Sequence, residues 1–377
     1  MMAGEAPLRM VLTTNNRNPN IRGASPGRPL YEHEVVKKWT AADRSLEDGA
    51  RQILKKMEER LPAISRQALE HEEASPEDPQ TEERVREARA RDGWPQRGVA
   101  DADDFLVARL GLGTMRLTGK GIWGEPSDRS EAIRVVRRAV ELGVNFIDTA
   151  DSYGPYVSEG IIAEALYPYP EGVVIATKGG FERPGPDQWV ENGRPEHLTS
   201  ACEGSLRRLR CDRIDLYQLH RIDQKVPMER QLGALKDLQA EGKIKHIGLS
   251  EVSVRQLHDA RTIVSIASVQ NRYSVTDRRS EDVLEYCEQH DIVFIPWFPL
   301  AAGQLAGADS LVRRVASHEN ATPSQIALAW LLARSPVMLP IPGTSKVAHL
   351  VENVAAAGVG LTDDDINTLN QILLLDP

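Results

Sequence analysis

Residues 144–180 read VNFIDTADSYGPYVSEGIIAEALYPYPEGVVIATKGG. A short apolar run with β-branched residues ends on Asp148. A polar loop follows, then SEGIIAEAL with apolar residues at helical spacing, then a second β-branched run, VVIATK, ending on Lys178. Strand, helix and strand in this order predict two parallel strands joined by a crossover.

The same unit recurs outward in both directions. Upstream, LVARLGLGT reads as a strand and SDRSEAIRVVRRAVELG as a helix, with Ser127 or Asp128 to cap it and Gly143 to stop it. Downstream, RIDLYQLH, IKHIGLS, SIASVQN, IVFIPWFPL and VMLPIPGTS read as strands, with helical patterns between them and two more helices after the last. About eight strand segments, nearly continuously apolar, predict a closed (β/α)8 TIM barrel with both strand faces covered. An open doubly wound sheet would want a third glycine after Gly111 and Gly113, and the sequence lacks it.

The barrel accounts for residues 101–377. Residues 1–100 are read as an N-terminal extension. Residues 1–30 are polar and expected to lack fixed structure. SLEDGARQILKKMEERL predicts an amphipathic helix through Leu46, Ala50, Ile53, Leu54, Met57 and Leu61. The mixed-charge run from Glu70 to Gly93 reads as a solvated helix or a linker, with a docking segment as the functional alternative.

Net charge is −9, and the acidic excess falls wholly outside the first hundred residues, which argues against nucleic-acid or membrane-surface binding. No apolar run approaches the roughly 20 residues a membrane span needs. The opening MMAGEAPLRMVLTTNN has no continuous apolar stretch of the secretory kind, so a cytoplasmic protein is expected. Cys202, Cys211 and Cys287 form no CxxC and read as idle thiols in a reducing compartment.

In a parallel barrel, reacting groups come from the carboxyl ends of the strands. That rule selects Asp148, Lys178, His220, Ser250, Gln270, Trp297 and Thr344. Asp148 and Lys178 by themselves are equally well read as a buried structural ion pair. Tyr153, just past Asp148, enters the same mouth. A phenol beside an ammonium that a carboxylate holds is machinery for giving a proton to a carbonyl oxygen while hydride reaches the carbon. His220 is read as the group that orients that oxygen. Ser250 and Gln270 suit a carboxamide, and Trp297 offers a flat face to an aromatic ring. In PGTSKVAHLVEN, Thr344, Ser345 and a helix N-terminus suit phosphate, Lys346 adds a charge, and Glu352 and Asn353 lie in reach of an adenine edge.

These blocks resemble, in order, those of the aldo-keto reductases: FIDTADSYG, IATKGG, LYQLHR, GLSEVS, VQNRYS and IPGTSKVAHLVEN, spread over roughly 105–377. The resemblance implies that Tyr153 is the general acid, that Asp148 and Lys178 lower its pKa, and that His220 positions the substrate. It places Ser250, Glu251 and Gln270 at the nicotinamide amide, Trp297 at the stacking position, and Leu300 among the cofactor contacts. It places Gly343, Thr344, Ser345, Lys346, His349, Glu352 and Asn353 along the adenosine phosphate. Glu251 stands where many members have Asn, and His349 where many have Arg.

The implied activity is NADPH-dependent reduction of an aldehyde or ketone, without a metal. RLGLGTMRLTGKGIWGEPSDR is similar to a bacterial subgroup that includes pyridoxal reductases. The alternative is a low-turnover NADP(H)-binding sensor or partner-regulating protein on the same barrel, motivated by the extension.

Overall fold

The computed structural model describes residues 107–300 and 309–374. The extension, with its expected helix and charged run, lies outside the described residues.

Seven strands form one parallel sheet in the order β1 (Leu112–Gly113), β2 (Phe146–Asp148), β3 (Val174–Gly179), β6 (Ile214–Leu219), β7 (Ile244–Ser250), β8 (Ser268–Arg272) and β9 (Val293–Trp297). An eighth stretch, 337–343, closes the ring. Phe294 N–H donates to Val337 O, Leu339 N–H to Phe294 O, and Gly111 N–H to Pro340 O at 2.9 Å. Sequence pattern predicts a strand here, yet only isolated bridges at Met338 and Gly343 form. Pro340 and Pro342 have no N–H to give a ladder, so they contribute carbonyls alone. Arg109 pins the bottom of this seam through the carbonyls of Leu332, Ser335 and Met338. Burial draws its guanidinium down to about 10.

The seam leaves no room for a side chain at Gly113 of β1. A Cβ on Gly113 would lie 2.6 Å from Ile341 O. Gly113→Ala is therefore expected to destabilise the barrel by about 1–3 kcal/mol, the usual range for overpacking. Urea unfolding checks this; an unchanged midpoint would mean that the seam yields freely.

Helices cover the outside. In α1 (Arg129–Glu141), Asp128 caps the start by accepting from Glu131 N–H, and Ala132, Val135, Val136 and Ala139 form the buried stripe. Their spacing of three and four is the helical period that turns one face to the sheet. α2 (Val157–Leu166), α3 (Pro195–Leu209), α4 (Met228–Ala240), α5 (Val254–Arg261) and α6 (Glu281–Gln289) complete the alternation up to β9. α7 (Asp309–His318), α8 (Pro323–Arg334), α9 (Val347–Ala355) and α10 (Asp363–Asn370) follow. No described helix is long and apolar enough to cross a membrane.

Two hydrophobic clusters result. The larger lies between sheet and helices; the smaller, with Phe146, Ala176, Leu216, Val293, Ile295 and Leu339, fills the barrel. Residues two apart in a strand share a face. The inward positions thus run from Phe146 to Asp148, from Ala176 to Lys178, and from Leu216 to Gln218 and His220. Each strand is apolar at the waist and polar at its carboxyl end, which puts the polar set in one layer.

One element was not expected. A small antiparallel hairpin, β4 (Phe181–Glu182) with β5 (Val190–Glu191), rises from the end of β3. Sequence reading passes directly from the strand to the helix at Pro195. Pro184 and Pro186 break any alternation that would have marked it.

Candidate active site

Register sets the site. Asp148 pairs with Ala176 of β3, Lys178 with Gln218 of β6, and Ser250 with Gln270 of β8. Lys178 and Asp148 are 0% and 1% exposed, so their charges depend on one another. Lys178 Nζ donates to Asp148 Oδ1 at 2.7 Å, to Thr149 O at 2.7 Å and to Tyr153 Oη at 3.3 Å. An ammonium has three protons, and here all three are engaged. The other carboxylate oxygen, Asp148 Oδ2, accepts from Gln218 Nε2 at 3.1 Å and Gln270 Nε2 at 2.8 Å. Burial draws the Lys178 ammonium down, but Asp148 and Tyr153 outweigh it and the net shift is upward.

Sequence reading expected Asp148 and Lys178 to lower the Tyr153 pKa. The structure corrects this. Burial raises it most, Lys178 and more weakly Arg221 act downward, and the Asp148 charge acts upward; the net direction is up. The phenol is therefore held neutral at physiological pH, with its proton in place.

His220 follows β6. Its ring stands 6.0 Å from that of Tyr153 and 4.7 Å from that of Phe181, edge-on to both. Burial, then Lys178, Arg221 and Arg183, holds its pKa well below the usual histidine value. It is a neutral hydrogen-bonding group. Tyr153, Lys178, His220 and Asp148 thus meet around one mouth.

The expected cofactor positions are more varied. Ser250 Oγ accepts from Arg221 Nη1 at 3.1 Å. Gln270 spends its amide donor on Asp148 and Gln218, which leaves its carbonyl oxygen for other partners. Glu251 has φ of 55° and accepts from Arg272 N–H and Trp297 Nε1 on one oxygen. Trp297 is half-buried, with the Arg272 guanidinium 5.6 Å from its ring centre. Leu300, partly buried, packs on the outer core.

At the far segment, Gly343, Ser345, Lys346 and His349 are exposed around the start of α9, and Thr344 is buried. Thr344 Oγ1 accepts from Lys346 N–H at 3.1 Å. Val347 N–H already donates to Glu131 Oε1 at 3.1 Å, so that amide is taken. Glu352 accepts from Thr322 Oγ1 at 2.7 Å, which ties it to the cap of α8, and Asn353 is buried. Hydroxyl, ammonium and imidazole on the first turn of a nine-residue helix are a donor set that fits phosphate.

Several site residues escaped the sequence reading. Gln218 shares the inward parity of Lys178 and His220, and that period was a usable signal. Arg183 carries no motif. It donates to Gln188 O, Ile122 O, Ser152 O and Gly121 O, and its guanidinium lies 3.7 Å over the Trp189 ring. It ties the hairpin to two other mouth loops. One trio with ligand spacing, His318, Glu319 and Asp365, has no sequence motif. The three cysteines are unpaired; burial pushes the Cys202 and Cys211 thiols up to about 12 and about 11.

Asp151 is 3% exposed and its Oδ1 has no hydrogen-bond partner. Burial first, then the Glu159 charge, raises its pKa well above the usual carboxylate value. A raised folded-state pKa adds stability below the unfolded value and loses it as pH climbs through the folded one. Asp151→Asn should therefore match the parent in melting temperature near pH 4 and exceed it by a few degrees at pH 7–8. A parallel pH profile for the two proteins would refute this.

A closed parallel barrel with its titratable groups gathered on the carboxyl rim is the architecture of a barrel enzyme. The family model described as the Aldo/keto reductase family matches residues 109–374. An uncharacterized oxidoreductase of Schizosaccharomyces pombe is 50% identical over 276 residues, 73% of this chain and 90% of that one. Pyridoxine 4-dehydrogenase of Escherichia coli K12 is 43% identical over 272 residues, 71% of this chain and 95% of the enzyme. Among solved structures, the glycerol dehydrogenase of Gluconobacter oxydans superimposes with a TM-score of 0.67 at 28% identity, covering 73% of this chain and 94% of that one. An aldo/keto reductase of Klebsiella pneumoniae, solved with NADP and acetate, gives 0.63 at 27% identity, covering 74% and 95%. The chain belongs to the aldo/keto reductase family.

Proposed function

We propose that this protein reduces an aldehyde to an alcohol with Tyr153 as the proton donor, and that a pyridoxal-like aromatic aldehyde is among its substrates. Membership of the family makes it an NADP-dependent oxidoreductase acting on carbonyl groups of small molecules. When bound, NADPH supplies the hydride. Ser250, Gln270, Trp297 and Leu300 would hold its nicotinamide end. Gly343, Thr344, Ser345, Lys346, His349 and Asn353 would hold its adenosine phosphate. Glu251 and Glu352, both committed to protein donors, would act through those partners.

One observation carries the reading: Lys178 donates to Tyr153 Oη rather than accepting from it. The phenol's own hydrogen is therefore left to point at a substrate oxygen. As hydride reaches carbon, the C=O π pair moves to oxygen and takes the Tyr153 proton. The phenolate left behind sits against the ammonium, which stabilises it. His220, neutral, offers a second hydrogen bond to the same oxygen. The rings of Phe181 and Trp189, 5.4 Å apart beside His220, suit a flat aromatic substrate. The likeness to pyridoxine 4-dehydrogenase supports the same class.

NADPH oxidation by the full-length protein, followed at 340 nm (roughly) with pyridoxal and a panel of simple aldehydes and ketones, tests this. Turnover on pyridoxal with kcat on the order of 1 s⁻¹ or more supports it. NADPH binding without turnover on any carbonyl would favour a sensor and sink the proposal.

A further inference from the structure

We infer that Ser152 sets the tautomer of His220: its hydroxyl donates to Nδ1, so the ring proton resides on Nε2, the nitrogen left for a carbonyl oxygen. The inference rests on His220 being the carbonyl-binding group proposed above.

Ser152 is 2% exposed, and its Oγ lies 3.3 Å from His220 Nδ1. Among the described residues this is the one hydrogen bond of either side chain. The other neighbours of the imidazole are the rings of Tyr153, Phe181 and Trp189, none of which offers it a hydrogen bond. His220 is neutral, because burial and three nearby cations, Lys178, Arg221 and Arg183, disfavour its charged form. A neutral imidazole carries one N–H, and the partner of one nitrogen decides which.

Two arrangements are open. With the proton on Nδ1, Ser152 must accept. Its own buried O–H is then without an acceptor, and the Nε2 lone pair faces the lone pairs of a carbonyl oxygen. With the proton on Nε2, Ser152 donates to the bare Nδ1, its hydrogen is satisfied, and Nε2–H can donate to the substrate. Buried donors without acceptors are rare because the loss of their hydration is not recovered. The second arrangement satisfies every group; the first leaves the Ser152 hydrogen without an acceptor and the substrate oxygen without a donor.

Ser152 is held for this task. Its carbonyl accepts from Arg183 Nη1 at 2.7 Å, and the same guanidinium grips Ile122, Gly121 and Gln188. The backbone on either side is therefore anchored to two further mouth loops, and the hydroxyl needs only one rotamer to reach the ring. Ser152 also lines a cavity of about 290 Å³ with Asp151, Arg183 and His197. Ser152 is a positioning residue: it touches neither the reacting carbon nor the transferred proton.

The test is nitrogen NMR on full-length protein carrying ¹⁵N-labelled histidine, with the His220 ring assigned by its loss in His220→Asn. The expected spectrum shows Nε2 protonated and Nδ1 bare. In Ser152→Ala the proton redistributes between the nitrogens, kcat/KM for the carbonyl falls roughly tenfold, and NADPH affinity holds. Ser152→Thr, which keeps the hydroxyl, restores the parent tautomer. A parent spectrum with Nδ1 protonated, or a Ser152→Ala spectrum identical to the parent, overturns the inference. Full activity in His220→Asn would instead overturn the role given to His220, whatever the tautomer.

Discussion

Tyr153→Phe is expected to lower carbonyl reduction by about 10²–10⁴, the usual contribution of a general acid, while NADPH affinity stays within twofold or about that. The substitution removes one oxygen and leaves the ring. The ring packs edge-on to His220 and under the Lys178 ammonium, 5.0 Å from its centroid, and Phe can keep both contacts. Stability is expected to change little. Lys178 loses one of three acceptors, the longest of them at 3.3 Å. The loss therefore falls on kcat, because the missing group acts as charge develops on the substrate oxygen. Steady-state kinetics with a nucleotide titration separates the two effects. Retained turnover would move proton delivery elsewhere.

Lys178→Met is expected to remove turnover as thoroughly and to destabilise the protein as well. Asp148, itself 1% exposed, would keep Gln218 and Gln270 but lose its counter-ion. Breaking a buried pair in this way typically costs about 3–5 kcal/mol. The two effects are separable. Adding Asp148→Asn to Lys178→Met takes away the stranded charge, so stability should recover while turnover does not. Recovery of both would reduce the pair to a structural one. The pH profile gives a second sign. Lys178 is the stronger of two groups acting downward on the Tyr153 pKa, with Arg221, against burial and Asp148. Without it, any alkaline limb in kcat/KM belonging to Tyr153 moves to higher pH.

Much of this site was legible before the structure, because β-strands have period two and parallel barrels use one rim. Asp148, Lys178 and His220 each end an apolar strand, and that alone placed them together. Tyr153 followed from its nearness to Asp148. Gln218 obeys the same period, one inward step before His220. Ser152, Arg183 and Arg221 were not legible in that way. Their roles depend on loop paths that no periodicity encodes, and the hairpin between Phe181 and Glu191 is interrupted by prolines. The closing strand was found by its apolar run, but its broken ladder follows from Pro340 and Pro342. The direction of the Tyr153 shift was not legible because burial, its largest cause, is a property of the packed barrel, whereas the neighbouring charges can be read from the chain. The place of Glu251 rests on the resemblance and that of Glu352 on its helical spacing; the structure shows each accepting from protein donors that lie far away in sequence.

The most direct measurement is a single turnover of the full-length protein with pyridoxal and NADPH deuterated at the transferable position of its nicotinamide, for the parent and for Tyr153→Phe. The account predicts deuterium on the new carbinol carbon of the parent product, formed within seconds, and the same label appearing far more slowly in the variant. An unlabelled carbinol carbon, or equal rates in the two proteins, would contradict hydride transfer assisted by a proton from Tyr153.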